Sequence, residues 1–77
     1  MTVKDLKIGQ EAQIFAFSDK ALGHHLVEMG VVPGETITIE RIAPLGDPIA
    51  IRVSNLLLCI RKQEASAILV QLPAQAH

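Results

Sequence analysis

The feature that most constrains this chain is the alternation of apolar and polar side chains in its second half. Ile37 and Ile39 alternate with polar neighbours, and the segment 49–53 repeats the pattern. An apolar residue at every second position is typical of a half-buried β-strand. Strands this short, joined by tight connections within 77 residues, predict one small barrel, because closure removes the edges that invite aggregation.

One helix is predicted after the first strand. The segment 13–17 is rich in β-forming residues and is followed by Ser18 and Asp19, both favourable N-cap types. The helix itself is indicated by apolar residues at i, i+4 and i+7, namely Leu22, Leu26 and Met29. Gly30 then tolerates the positive φ of a helix C-terminus, and Pro33-Gly34 fit the centre of a type II turn.

The remaining elements complete a mainly β fold. We expect a stiff hairpin loop from Ala43 to Pro48, strands at 56–60 and 68–72, and a helical turn between those two strands at 62–67. The prediction is a barrel of about five strands, with one short helix after the first strand and a helical turn before the last. No linker or repeat interrupts the chain, so residues 1–77 are predicted to form a single domain.

Composition and charge exclude several classes of function. A net charge of −1 gives no general attraction to phosphate, which argues against a nucleic-acid partner. The single Cys59 cannot close a disulfide within the chain and fits a reducing compartment. The longest apolar run, Leu56–Ile60, is far shorter than the about 20 residues of a membrane-spanning helix, so we expect no direct membrane insertion.

The order of these signals resembles the family of ferrous iron transport protein A, FeoA. The resemblance is carried by the helix end Leu26–Gly30, the turn Val32-Pro33-Gly34, the loop Ala43–Ile49, the stretch Leu58–Lys62, and Glu64-Ala65. The Ala-Pro-Leu-Gly-Asp-Pro loop is the most specific of these. The resemblance covers roughly residues 4 to 72, which we take as the core of the domain, with a flexible tail at 73–77.

The resemblance implies an SH3-like barrel, a cytoplasmic location, and an accessory role in bacterial ferrous iron uptake. It also implies a partner, the membrane protein FeoB, contacted through its cytosolic part. An alternative is a metal-responsive regulatory module, because the domain also resembles the C-terminal domain of iron-dependent repressors. The chain departs from the family pattern at Gly23-His24-His25, where many members carry longer basic or polar side chains.

The sequence contains no pattern typical of an enzyme. It lacks a nucleophile paired with a base, and its Gly30 and Gly34 lack the Gly-Lys-Ser/Thr ending of a nucleotide-binding P-loop. With only two aromatic residues, Phe15 and Phe17, it cannot build the aromatic groove with which SH3 domains bind proline-rich peptides. We therefore expect no catalysis and no cofactor.

Metal binding is a weaker hypothesis. His24 and Glu28 share a helix face at i, i+4, and His25 is adjacent, but divalent sites usually need three or four ligands. We interpret the three as ordinary solvated side chains. Cys59 is interpreted as a small apolar strand residue and not as a redox sensor, since free cysteines are among the most buried residues.

Partner binding is therefore the favoured use of the surface. Alternation turns one set of strand residues inward, namely Ile14, Leu56, Leu58, Ile60, Ile68 and Val70, and another set outward, namely Phe15, Leu57, Cys59 and Leu69. We predict a docking patch at Phe15, Leu57 and Leu69. A second candidate is the loop formed by Pro44, Leu45, Gly46, Asp47 and Pro48, because a stiff loop loses little entropy on binding. Self-association is a further option.

Overall fold

The computed structural model describes residues 1–73. Its elements are a 3₁₀ turn at Val3–Asp5, strand β1 at Glu11–Phe17, helix α1 at Lys20–Met29, strand β2 at Thr36–Ile42, strand β3 at Ile49–Val53, strand β4 at Leu56–Ile60, helix α2 at Lys62–Ala65 and strand β5 at Ile68–Gln71. The five antiparallel strands form one sheet in the order β4-β3-β2-β1-β5. The predicted order of strands and helices is confirmed, apart from the 3₁₀ turn, which the sequence did not reveal. The full closure of the sheet that we expected is not reached within residues 1–73, because β4 and β5 do not pair with each other.

Helix α1 begins and ends where its capping residues predict. The Asp19 side chain accepts a hydrogen bond from the backbone N–H of Leu22 at 2.9 Å, a cap that contributes about 1 kcal/mol. Gly30 takes a φ of 105° at the other end, and its N–H bonds the carbonyls of Leu26 and Val27. The helix buries Leu26 completely, and its partly buried Met29 also packs against the aliphatic core.

The predicted alternation holds in β2 and β3 until a bulge interrupts it. Ile37 and Ile39 are buried, but the register between β2 and β3 shifts after Ile39. A bulge adds one residue to one strand and turns the side chains that follow. Glu40 and Arg41 consequently both face solvent, and Ile42 returns to pack against the core.

The prediction that Leu56 faces inward is wrong. Its side chain is 49% exposed, although Ile60 of the same strand is buried and Leu58 packs against the core. Leu56 opens β4 directly after the turn Ser54-Asn55, at the rim of the sheet. Its side chain lies over the end of α1, where a Cβ added to Gly30 would meet Leu56 Cδ1 at 3.1 Å. The Leu56 side chain therefore packs against the end of α1 instead of filling the core.

The two outermost strands of the sheet differ in what lies beside them. At β5, Thr2 forms an isolated bridge with Leu69, and the Val70 N–H bonds the Met1 carbonyl at 2.9 Å. At β4, no backbone hydrogen bond within residues 1–73 reaches the side away from β3. We call these the covered edge, of β5, and the bare edge, of β4.

No helix in the part of the chain that the structure describes is long and apolar enough to cross a membrane. Of the predicted flexible tail at 73–77, residues 74–77 lie outside the described residues.

Candidate docking surface

The loop between β2 and β3 is held in one shape by its own hydrogen bonds. The Ala43 N–H bonds the Pro48 carbonyl at 3.1 Å, and the Gly46 N–H, at a φ of 85°, bonds the Ala43 carbonyl at 2.7 Å. The Asp47 carboxylate accepts a further bond from the Lys62 N–H at 3.0 Å, which fastens the loop to α2. The loop is thus fixed before any partner arrives.

Leu45 lies at the tip of this loop and is 92% exposed. It is more exposed than any other large apolar side chain on the described surface. Leucines scattered singly over a surface are common, but a leucine on a pre-stiffened loop offers apolar area at a small entropic cost. The geometry therefore makes Leu45 the best anchor among the predicted partner-binding residues.

Leu57 and Cys59 lie on the outer face of β4, and Cys59 is the one of the two that lies next to this loop. Leu57 is 58% exposed and stands opposite Arg52 of β3, while Cys59 stands opposite Ala50. Cys59 is also exposed, contrary to the burial expected of a free cysteine, because alternation places it on the outer face of an edge strand. A shallow cavity joins β4 to the loop and is lined by Asp47, Pro48, Cys59, Ile60 and Arg61.

Phe15 and Leu69 lie in a different part of the molecule. They belong to the paired strands β1 and β5, whereas Leu57 lies on the outermost strand at the other end of the sheet. Phe15 is 51% exposed, at a register shift of β1. Leu69 is half-buried instead of fully outward, because Thr2 lies beside it at the covered edge. The predicted patch of three residues is thus divided between the two ends of the sheet.

The three candidate metal ligands do not converge. His24 Nε2 lies 2.9 Å from Glu28 Oε1, with both side chains mostly exposed, whereas His25 Nε2 points to Glu64 Oε2 of α2 at 3.5 Å. Within residues 1–73 no group of three His, Cys, Asp or Glu side chains could hold a metal ion. The proximity of His25 and Glu64 was missed because 39 positions separate them in the sequence, and only the packing of α2 brings them together.

The glycine at position 23 allows helix α1 to lie close to Phe17. A Cβ added to Gly23 would lie 2.9 Å from the Cβ, Cγ and Cδ2 of Phe17, closer than packed atoms allow. Helix α1 therefore lies directly against the Phe17 side chain. The same contact forms one wall of an open groove, with Ser18, Lys20, His24, Val27 and Pro33 among the remaining lining residues.

Comparison with models of protein families shows which family the chain belongs to. A family model described as FeoA domain matches residues 1–72. The chain belongs to the FeoA family. The match includes the loop, β4 and α1, so every candidate surface described above lies within the FeoA domain.

One curated relative joins a FeoA domain to its transporter. This fusion of Fe(2+) transport protein A and Fe(2+) transporter FeoB, from Porphyromonas gingivalis, is 33% identical over 73 residues. The alignment covers 94% of the present chain but only 9% of that relative, so the FeoA domain is a small part of the fusion.

Solved FeoA structures share the fold. The FeoA protein of Chlorobium tepidum is 33% identical, with a TM-score of 0.87, over 100% of this chain and 74% of that one. Stenotrophomonas maltophilia FeoA, described as a prokaryotic SH3 domain protein in complex with zinc, is 26% identical, with a TM-score of 0.80, over 92% and 89%. The SH3-like fold is confirmed. The T. acidophilum repressor IdeR, 24% identical, with a TM-score of 0.80 over 95% of this chain and 34% of that one, shares the fold alone.

Proposed function

We propose that this FeoA-family protein is a cytoplasmic accessory subunit of ferrous iron uptake that binds a FeoB-type transporter and modulates its assembly or activity. The observation that carries the proposal is the relative in which a FeoA domain and FeoB form one chain. A covalent link holds two domains at high effective concentration. A separate FeoA protein needs a docking surface to reach the same arrangement.

The docking surface that we propose is the loop from Ala43 to Pro48, with Leu45 as its anchor. Binding energy usually concentrates in a few side chains that enter a pocket of the partner, and the surrounding contacts exclude water. Leu45 projects from a loop that is fastened by Asp47 to α2, so it can enter such a pocket without a costly ordering step. In this arrangement Asp47 and Pro48 form the rim of the contact around Leu45.

In this proposal the protein does no chemistry of its own. The His24–Glu28 pair is solvated, and the adjacent His25 contacts a different carboxylate, that of Glu64. An exposed pair of two ligands is a poor cradle for a divalent ion, which prefers three or four. Recognition by contact, and not catalysis or tight metal binding, is the activity that this surface supports.

The test is calorimetric titration of the protein into the cytosolic domain of the FeoB from the same cell. We expect saturable binding, weakened about tenfold or more by Leu45→Ser, which removes an anchor side chain. Phe15→Ser is the matched control, since Phe15 is also an exposed apolar residue but lies at the other end of the sheet. Loss of binding in Phe15→Ser alone would move the docking surface to β1.

The regulatory alternative makes a different prediction. A metal-responsive module should bind one ferrous ion per chain tightly, and His24→Ala should abolish that binding. The accessory role predicts only weak binding of ferrous ion by the isolated protein, unchanged by His24→Ala. Tight binding that depends on His24, together with no affinity for FeoB, would favour the alternative and overturn the accessory role.

A further inference from the structure

The bare edge of β4 lacks the protection that natural sheets usually give an outermost strand. The residues Leu56 to Ile60 include no charge and no proline, and their register with β3 runs without a bulge. Charged residues, prolines and bulges are the usual means of preventing another strand from adding to an edge. The bulges of this sheet lie in β1 and β2, so none of them protects the outer strand β4.

The turn before β4 determines which backbone groups point outward. Ser54 and Asn55 form a two-residue hairpin turn, with Ser54 at a φ of 55°. Such a turn is closed by a hydrogen-bonded pair, here Val53 and Leu56, after which bonded and non-bonded pairs alternate. Leu57 and Cys59 therefore direct their N–H and C=O groups away from β3, toward the bare edge.

We propose that the bare edge pairs with the bare edge of a second copy of this chain, antiparallel and about a two-fold axis at Leu58. Leu57 then exchanges backbone hydrogen bonds with the partner's Cys59, and Cys59 exchanges them with the partner's Leu57. The pairing is isologous, because each strand presents the same groups to the other. It satisfies the outward backbone groups of both copies and covers their exposed side chains. The proposal does not depend on binding to FeoB.

The charges at the two ends of β4 favour a second copy of this chain as the partner, and they favour antiparallel over parallel pairing. Arg61 and Lys62 follow β4, whereas at its start Glu35 accepts a hydrogen bond from the Ser54 hydroxyl at 2.8 Å. Antiparallel pairing brings the basic end of each strand to the acidic end of the other. A parallel arrangement would place Arg61 and Lys62 beside the same two cations of the partner, and such like-charge contacts are unfavourable.

The dimer is expected to be reversible. One strand contributes five residues from each copy, compared with about 20 to 30 per side in a standard stable interface. The population of dimer should therefore rise with protein concentration over the range used for light scattering and ultracentrifugation. A small interface also makes the equilibrium sensitive to a single charge placed at its centre.

Sedimentation equilibrium of the full chain, under reducing conditions, measures this equilibrium. We expect a concentration-dependent dimer that Leu57→Glu weakens about tenfold or more, since the new charge would be desolvated in the interface. The variant should remain folded, because Leu57 is exposed and is not part of the hydrophobic core. Phe15→Glu, at a site of similar exposure away from β4, is the control and should dimerise like the wild type.

A monomer at every concentration would overturn the proposal. So would a dimer that Phe15→Glu disrupts and Leu57→Glu does not. Far-UV circular dichroism of both variants shows that each one has kept its fold, so that loss of the dimer can be assigned to the interface.

Disulfide trapping tests the register independently. In the proposed pairing, the Cα atoms of residue 57 and the partner's Cys59 lie about 5.5 Å apart, within the range that a disulfide spans. The variant Leu57→Cys should therefore oxidise to a covalent dimer. Leu56→Cys is the control, because it places an exposed thiol on the same strand opposite the partner's buried Ile60. Equal cross-linking of the two variants, or a dimer linked mainly through Cys59 of both copies, would contradict the register.

Discussion

The covered edge and the bare edge of this sheet are formed by strands of similar length and similar apolar character. Ile68 and Val70 of β5 are buried and Leu69 is half-buried, whereas Leu56, Leu57 and Cys59 of β4 are exposed. The difference comes from neighbouring segments and not from the strands themselves. Met1 and Thr2 run along β5, while among the described residues β4 forms backbone hydrogen bonds only with β3.

This comparison shows how a small domain divides its surface between folding and recognition. The N-terminal segment adds Val3 and Leu6 to the core while it covers β5. The apolar residues of β4 contribute little to that core apart from Ile60 and part of Leu58. They are therefore free to contact another chain, and changing them should affect association more than folding.

The largest expected effect comes from matched leucine truncations at the two edges. Leu6→Ala should lower the free energy of unfolding by about 2–5 kcal/mol, because it removes a side chain that is only 3% exposed. Leu57→Ala should change it by no more than about 0.5 kcal/mol, as for other surface sites. The chain has no Trp or Tyr, so urea denaturation is followed by far-UV circular dichroism. Similar losses of unfolding free energy in both variants would show that the two edges contribute equally to folding.

A smaller effect is expected where α1 lies against β1, the strand next to β5. Gly23→Ala should destabilise the fold by about 1–2 kcal/mol, since overpacking costs up to about 3 kcal/mol and the better helix propensity of alanine returns about 1 kcal/mol. The clash includes Phe17 Cβ, which the backbone fixes and which cannot rotate away. His24→Ala, at the next residue but exposed, should be nearly neutral. Stabilisation by Gly23→Ala would show that the helix can move outward freely.

The sequence predicts the elements of this fold well because their signals are local. Alternation in β3 and the caps Asp19 and Gly30 depend on neighbouring residues, and the structure confirms them. The surroundings of Leu56 and Leu69 depend on segments distant in the chain, and there the predictions failed in opposite directions. Leu56 was expected inside and is exposed, whereas Leu69 was expected outside and is half-buried.

For the candidate docking residues, too, the local features were predictable from the sequence and the long-range ones were not. The loop at 43–48 was recognisable because prolines and glycine determine a hairpin loop locally, and Leu45 lies where such a loop places its tip. The division of Phe15 from Leu57 was not predictable, because it depends on the order of strands across the sheet. Strand order is set by long-range pairing, and alternation within each strand carries no information about it.

The smallest expected effect concerns a local hydrogen bond that shapes the N-terminal segment lying on the covered edge. The Asp5 carboxylate accepts a bond from the Thr2 backbone N–H at 2.9 Å, and this bond lowers the pKa of Asp5 below its ordinary value. The charged form is therefore favoured in the folded state. Its contribution is present above the pKa of the unfolded chain and is lost as the pH falls through the lowered pKa.

Replacing Asp5 should loosen the covered edge without unfolding the domain. At neutral pH, Asp5→Ala should reduce the hydrogen-exchange protection of the Val70 amide, which bonds the Met1 carbonyl, and leave that of the Ile51 amide in the middle of β3 unchanged. Below the lowered pKa of Asp5, variant and wild type should show the same protection at Val70. A difference that persists in acid would mean that the carboxylate is not what fastens the segment. Equal loss at Ile51 would mean that the covered edge opens only with the whole fold.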